Sequence, residues 1–493
     1  MTDQQSSYRQ IMKATSIFGG VQVFGIVIGI IRSKFVAILL GPTGMGIAGL
    51  LAATAGMIAG LTNFGLSTSA VKDISTAHST GNELRVSTVA TVFSRLVWIT
   101  GVLGAFIMVA FSPWLSQVTF GNKDYTWSFI WISITLLLNQ LSTGQTTLLQ
   151  GMRQIRYMAQ SGMIGSIFGL ITTIPLYYFF GIKGIVPGII VTSVASLMLT
   201  WYFSRKLRMK PVYVSKVRTI AEGKGMLKMG FMISLSGLIT MGASYFVRIY
   251  ISNTGGVDQV GLYTAGFAII NTYVGLVFTA MSSDYYPRLS AVAHSNEQSK
   301  QVINQQAEIA LLILAPIIMV FLVFINWVVI ILYSTKFIPV NDMILYAALG
   351  MLFKAASWAI AFIFLAKGAG KLFFWNELIG NIYTLALNIL GYYYWGLTGL
   401  GISFLVAYIL YLIQVFFLTR LKYEFAFTSA FYKIFSIQMV LAVVCVGVVK
   451  LIESPYSYPI GSILIAVSAF YAYKELDKRL DVKSIIFSIK TRF

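Results

Sequence analysis

Apolar stretches of about twenty residues, the length that carries a helix across a bilayer core, recur from near the start of this chain to residue 473 with only short polar breaks. They are placed near 15–40, 44–70, 87–111, 127–149, 157–180, 184–203, 229–252, 260–286, 305–333, 342–366, 373–395, 398–419, 434–452 and 456–473. In hydrocarbon every backbone N–H and C=O must find a partner within the segment, so runs of this length form helices. The chain is therefore expected to be an all-α polytopic membrane protein with about 14 transmembrane helices. With 57% hydrophobic and 11% charged residues in 493, nothing remains for a soluble domain. Residues 1–16 are polar and no small-residue cleavage site follows the first run, so that run is expected to be a retained helix. Cys445, the single cysteine, lies inside an apolar run, which excludes disulfides and cysteine metal sites.

A net charge of +20 could point to nucleic acid, but its distribution excludes that partner. With the N-terminus in the cytoplasm, only Lys123, Lys183, Lys336 and Lys450 fall outside, and Arg32, Lys34, Arg95, Arg248 and Lys354 fall within spans. All other Lys and Arg are on the inside, as the positive-inside rule requires. The expected location is the inner (cytoplasmic) membrane of a bacterial cell, both termini cytoplasmic, with a basic tail over 475–493 suited to anionic membrane lipids.

A second pattern divides the chain. One ungapped offset of 215 residues pairs Lys13 with Lys228, Gly46 with Gly261, Gly60 with Gly275, Gly165 with Gly380, Gly181 with Gly396, Gly184 with Gly399 and Arg205 with Arg420. The clearest block sets YYFFGIKG at 177–184 against YYYWGLTG at 392–399. Six spans is an even number, so the copies enter the membrane from the same side and form two parallel six-helix lobes, as in many transporters. The organisation expected is an N-lobe over 1–205, a basic cytoplasmic linker over 206–228, a C-lobe over 229–422, two additional spans over 430–474 and the tail. The last pair has no counterpart in the repeat.

Ionisable residues inside spans are costly and mark functional cavities. Lys354, in GMLFKAASWAIAFIFLAKG, is too deep to reach the interface, and its repeat partner Asn139 is also polar. Arg32 and Arg248 lie toward the outer ends of the first helix of each lobe, and Arg95 lies two turns inside the third span; for these three, snorkelling to lipid phosphates is the alternative. A cavity lined by Arg32, Arg248, Lys354, Arg95 and Asn139 has an excess of cations and suits an anionic ligand. Acidic residues are fewer. Asp284, Glu308 and Glu377 are candidates for ion coupling, against the alternative that they, like Asp73, are paired or headgroup-level charges. Trp98, Tyr245, Tyr273, Trp358 and Trp375 could stack on sugar rings, although interfacial belts also use such residues. His78 and His294 have no ligand-spaced partner and no nucleotide-binding motif is present, so no metal site, cofactor or catalytic residue is expected.

The segments RSKFVAILLGPTGMGIAGL (32–50) and VRIYISNTGGVDQVGLYTAGFAI (247–269), with Arg32, Leu40-Gly41-Pro42, Gly44 and Gly46, resemble the multidrug/oligosaccharidyl-lipid/polysaccharide (MOP) flippase superfamily, most closely its O-antigen flippases, over roughly 10–425. The resemblance implies that undecaprenyl-diphosphate-linked oligosaccharide is moved from the inner to the outer leaflet by alternating access, alongside polysaccharide polymerase machinery. Many O-antigen flippases stop at about twelve spans, whereas the lipid II flippase branch has fourteen. A MATE-like drug or cation antiporter is the other alternative, less compatible with basic spans. A polymerase or ligase would need a large outer loop carrying Arg or His; the longest expected here, 112–126, has neither, so an enzyme is not expected.

Overall fold

A computed structural model describes residues 3–480 apart from 208, 210 and 211, with side chains from residue 24 onward except at 232, 233, 273, 280, 283 and 480. The Lys13 and Tyr273 side chains and the tail beyond 480 lie outside what the structure describes. Among those described there are helices and turns and no strand. The helices are α1 (Asp3–Asn63), α2 (Leu66–Ser79), α3 (Glu83–Ala110), α4 (Ser112–Phe120), α5 (Thr126–Gly151), α6 (Ile155–Phe180), α7 (Ile185–Arg205), α8 (Lys216–Gly255), α9 (Val257–Ala268), α10 (Leu276–Ala291), α11 (Asn296–Val323), α12 (Ile325–Leu332), α13 (Asn341–Ala366), α14 (Gly370–Tyr423), α15 (Ser429–Leu451) and α16 (Ser457–Leu480). Three apolar helical runs, Phe24–Asn63, Ile155–Arg205 and Gly370–Tyr423, span 40, 51 and 54 residues, enough at 1.5 Å per residue to cross a bilayer core twice. With α5 and α16, which are long enough but more polar, the described helices supply the fourteen crossings expected.

The repeat is visible in the backbone. Gly181, between α6 and α7, has φ 55°, ψ −133°, and its partner Gly396, which bends α14, has φ 56°, ψ −136°. Both combine positive φ with an extended ψ that side chains avoid, so glycine is required. Each bend lets the chain pass from one apolar helix to the next with no long loop, through a single 3-10 turn, Gly181–Gly184, in the first copy. A methyl group on Gly184 would strike the carbonyl of Leu176, and one on Gly399 the carbonyl of Gly391, again 215 residues on. Gly41, which bends α1 ahead of Pro42, and its partner Gly256 both have positive φ, 65° and 88°.

By packing, the chain forms two compact units, 1–261 and 262–493. In the first, α8 packs on α1, α2, α3 and α4. Small residues bring these backbones together, the usual basis of helix association in lipid: Gly65 and Gly230 face each other's backbone, and Gly46 and Gly261 leave no room for a methyl group beside the carbonyls of Val257 and Pro42 respectively. Pro42 and Val257 are themselves 215 residues apart, so this contact is reciprocal between positions matched by the repeat. Apolar residues including Leu66, Ile74, Phe93 and Met226 form a core where α2, α3, α5 and the start of α8 meet.

In the second unit α13 and α14 make the closest pairing, with Gly401 against the Met343 carbonyl and Gly350 against Phe404. The repeat-free helices α15 and α16 both pack on α11. Their attachment is polar as well as apolar: the buried Gln438 accepts from Ser468 Oγ at 2.6 Å, and the buried Glu308 of α11 accepts from Thr428 Oγ1 at 2.9 Å and from Arg479 Nε at 2.9 Å.

Candidate functional site

Lys354 lies near the middle of the 26-residue α13. Between α9 and α10 the chain takes one π-helical turn, Ile269–Val274, a distortion that frees backbone positions and is common at functional sites. It carries Asn271, whose Oδ1 accepts from Lys354 Nζ at 3.2 Å. The ammonium also lies over three rings, 5.3 Å from the Tyr408 centroid and 5.8 Å from those of Phe278 and Phe404. Among the described residues no carboxylate pairs with it.

Magnitudes decide what this environment does. A lysine at the centre of a span costs about 2.5–3.5 kcal/mol on insertion scales. Ring faces near the 6 Å limit return about 0.5–1 kcal/mol each, and a neutral amide oxygen adds a charged hydrogen bond of about 1.5–3 kcal/mol. The charge is thus tolerated without being neutralised, which leaves it able to attract an anion. Beyond Tyr408, whose ring meets Tyr411 edge-on at 6.3 Å, Tyr411 donates to Glu377 Oε1 at 2.5 Å. Buried Asn376 donates to the Tyr411 hydroxyl at 3.0 Å and accepts from Gln414 at 2.8 Å. A cation, an aromatic wall and an anchored carboxylate therefore follow one another along α13 and α14.

The other expected site residues have varied surroundings. Arg32 is half-buried and has no hydrogen-bond or ion-pair partner among the described residues. Arg248, also half-buried, donates to Ser244 Oγ one turn earlier. Arg95 donates to the Val214 carbonyl and to Thr219 Oγ1, each at 2.7 Å, and so fastens the basic linker to α3. Asn139 is exposed, while its neighbours on the polar face of α5 bind other helices: Gln140 donates to Thr100 at 3.0 Å and Ser142 meets Ser196 at 2.9 Å. Asp284 is exposed, 3.8 Å from Arg288. Glu308 is buried beneath Arg479 as described. Of the aromatic candidates, Trp358 packs at tilted and edge-on angles among Phe278, Tyr285 and Phe362, and Tyr245 is buried with its hydroxyl 2.8 Å from Thr119 Oγ1. Trp98 and Trp375 are exposed.

Sequence reading missed Asn271, Tyr408, Tyr411 and Asn376. The π-helical turn brings Asn271 to Lys354, and the bend of α14 brings Tyr411 back to Glu377; Asn376, next to Glu377 in the chain, and Tyr408 carry no local sequence mark of their contacts. A linker triad was missed for the same reason. Glu222 accepts from Arg85 at 2.6 Å and from Arg218 at 3.1 Å. Burial works against the Glu222 carboxylate, but the two guanidiniums together hold it below the ordinary range.

The chain and its fold have counterparts among known proteins. A family model described as polysaccharide biosynthesis protein matches residues 35–342. A protein of Shigella flexneri named "putative O-antigen transporter" is 27% identical over 59% of this chain and 69% of its own length. The lipid III flippase of Escherichia coli (strain K12) is 20% identical over 78% of this chain and 92% of its own. Among solved structures, the lipid II flippase MurJ in an inward closed conformation superposes with a TM-score of 0.65 at 12% identity, covering 95% of this chain and 99% of that one. An inward-facing multidrug resistance MATE family transporter of the MOP superfamily superposes with a TM-score of 0.67 at 17% identity, over 83% and 96%. At such identities the structures establish a shared fold.

Proposed function

The chain belongs to the polysaccharide biosynthesis protein family, and from that premise we propose that it is a flippase, not an enzyme, for an undecaprenyl-diphosphate-linked oligosaccharide such as an O-antigen repeat unit. In this reading the cargo passes from the inner to the outer leaflet of the bacterial cytoplasmic membrane by alternating access, with both termini in the cytoplasm. The observation that carries it is Lys354: a mid-helix ammonium held by an amide oxygen and three ring faces, with no carboxylate paired to it among the described residues. That arrangement suits a diphosphate, which supplies the missing negative charge, while ring faces tolerate the attached sugar. Arg32 and Arg248 serve as further anion contacts, and Glu377, anchored by Tyr411, is the carboxylate best placed to couple transport to an ion. The names of the O-antigen transporter and lipid III flippase relatives support the same cargo class. A membrane potential negative inside assists the outward step, by about 2.3 kcal/mol per charge per 100 mV.

Deletion of the gene is expected to accumulate lipid-linked glycan in the inner leaflet, and Lys354→Gln at normal expression to restore less than about a tenth of the transport, the loss of one charged contact. Full complementation by Lys354→Gln would overturn the assignment of the site. Drug sensitivity without glycan accumulation would replace the flippase reading by that of an antiporter.

A further inference from the structure

At the end of the second unit where α13 stops and α14 both starts and finishes, a cleft of about 620 Å³ opens between three chain turns. Its lining includes His294 from the turn between α10 and α11, Lys367 from the turn between α13 and α14, and Lys422 and Tyr423 from the last turn of α14. Lys367 Nζ donates to the Ala293 carbonyl at 2.6 Å and to Asn296 Oδ1 at 2.8 Å, and lies 5.1 Å from the Tyr423 ring centroid. An ammonium has three protons, so two are committed to holding the side chain in place and one is left. Lys422 Nζ approaches the Tyr423 ring at 5.7 Å. No carboxylate is among the lining residues. Glu424 follows Tyr423 in sequence, and Glu297 lies 3.7 Å from Lys300.

From this we propose that the cleft is a binding site for a phosphate ester anion, the headgroup of an anionic lipid in the leaflet this end faces. The Lys367 and Lys422 ammonium groups and the His294 imidazole converge from separate turns, so the site is built by the tertiary fold. Burial pulls the Lys367 pKa below the ordinary lysine value, an ammonium that an incoming anion would restabilise. Leu421 and Phe417, one turn apart near the same end of α14 as Lys422, are 70% and 59% exposed, an apolar helix surface that suits acyl chains and favours a lipid over a soluble phosphate. The site is separate from Lys354 and does not depend on the flippase reading.

The test is native mass spectrometry of the full-length detergent-solubilised protein titrated with phosphatidylglycerol, with phosphatidylcholine and with inorganic phosphate. The first phosphatidylglycerol is expected to bind at least about tenfold more tightly than phosphatidylcholine, and Lys367→Gln/Lys422→Gln to remove that preference, the weight of one or two charged hydrogen bonds. Lys367→Arg/Lys422→Arg should keep it, which guards against a folding defect, and Lys354→Gln should leave it unchanged. A double Gln variant with undiminished preference would overturn the site. Loss of the preference in Lys354→Gln would move the lipid to the transport site instead. Inorganic phosphate displacing the lipid in a Lys367-dependent way and binding equally well without it would overturn the lipid in favour of a soluble anion.

Discussion

Replacing Glu308 separates two roles for a buried carboxylate. If it couples transport to an ion, its loss alters transport and leaves stability nearly unchanged; the structure instead gives it a clamp to hold. Its two oxygens accept from Thr428 Oγ1 and Arg479 Nε, each at 2.9 Å, joining α11 to the N-terminal cap of α15 and to the end of α16. The carboxylate side chain is 10% exposed and the Arg479 side chain 24%. Arg479 keeps a second partner, Glu475 at 2.6 Å, so Glu308→Ala does not strand a guanidinium. The cost is one charged hydrogen bond of about 1.5–3 kcal/mol plus one ordinary bond of about 1 kcal/mol, roughly 3 kcal/mol in all. Glu308→Gln keeps an acceptor and loses the charge, and should cost about half of that. Arg479→Met leaves Glu308 buried without its cation and should cost at least as much as Glu308→Ala, because an uncompensated buried charge is worse than a missing one. Thermal unfolding of the purified protein, followed by intrinsic fluorescence, is the assay. For a chain of this length 1 kcal/mol corresponds to about 1–2 °C, extending the size dependence seen in smaller domains. The double variant should lose less than the sum of the singles, as contacting residues do. Wild-type melting of Glu308→Ala, or strict additivity in the double variant, would refute the clamp.

Three further outcomes follow from other contacts. Arg95→Met should release the linker, since it removes the donor to the Val214 carbonyl and Thr219; limited proteolysis within 206–215 should accelerate several-fold, while an unchanged cleavage rate would mean that the linker is held elsewhere. Gly261→Ala should impair folding strongly because its methyl group meets the Pro42 carbonyl, whereas Gly56→Ala, with open space around it, should be tolerated; equal yields of folded protein would contradict the close approach. For Glu222 the sign follows from its lowered folded-state pKa: the triad with Arg85 and Arg218 contributes its stability above the ordinary value of 4.5 and loses it as pH falls through the lower folded value. The hydrogen-exchange protection factor at the start of α8, corrected for the intrinsic pH dependence of exchange, should therefore fall on acidification in the wild type and be lower and less pH-dependent in Glu222→Gln.

The fold was largely legible from hydropathy and repeat. Runs of apolar residues specify helices because lipid offers the backbone no partner, and the offset of 215 carried through to Gly181 and Gly396, which share backbone angles to within a few degrees. Lys354 was legible as a candidate because its depth alone makes it costly. Depth did not reveal what surrounds it. Its repeat partner Asn139 is exposed, while Lys354 sits among aromatic rings, so positional equivalence in the sequence did not carry over to equivalent surroundings. Nor did polarity within a span indicate whether Arg95 would hold a linker or Glu308 a neighbouring helix.

By itself, then, the sequence determined the class: an all-α, membrane-embedded chain of twice-used six-helix units with two helices added. These properties follow from local composition and from self-comparison. Only the tertiary structure decided which buried charges are consumed and which are left with charge to spare, how α15 and α16 are fastened through Glu308 and Arg479, and where three distant turns gather Lys367, Lys422 and His294 around one cleft. The reason is physical. A charge in a low-dielectric setting is governed by the groups within a few ångströms of it, and for Glu308 and Arg479 those groups are brought together from 171 residues apart in the chain.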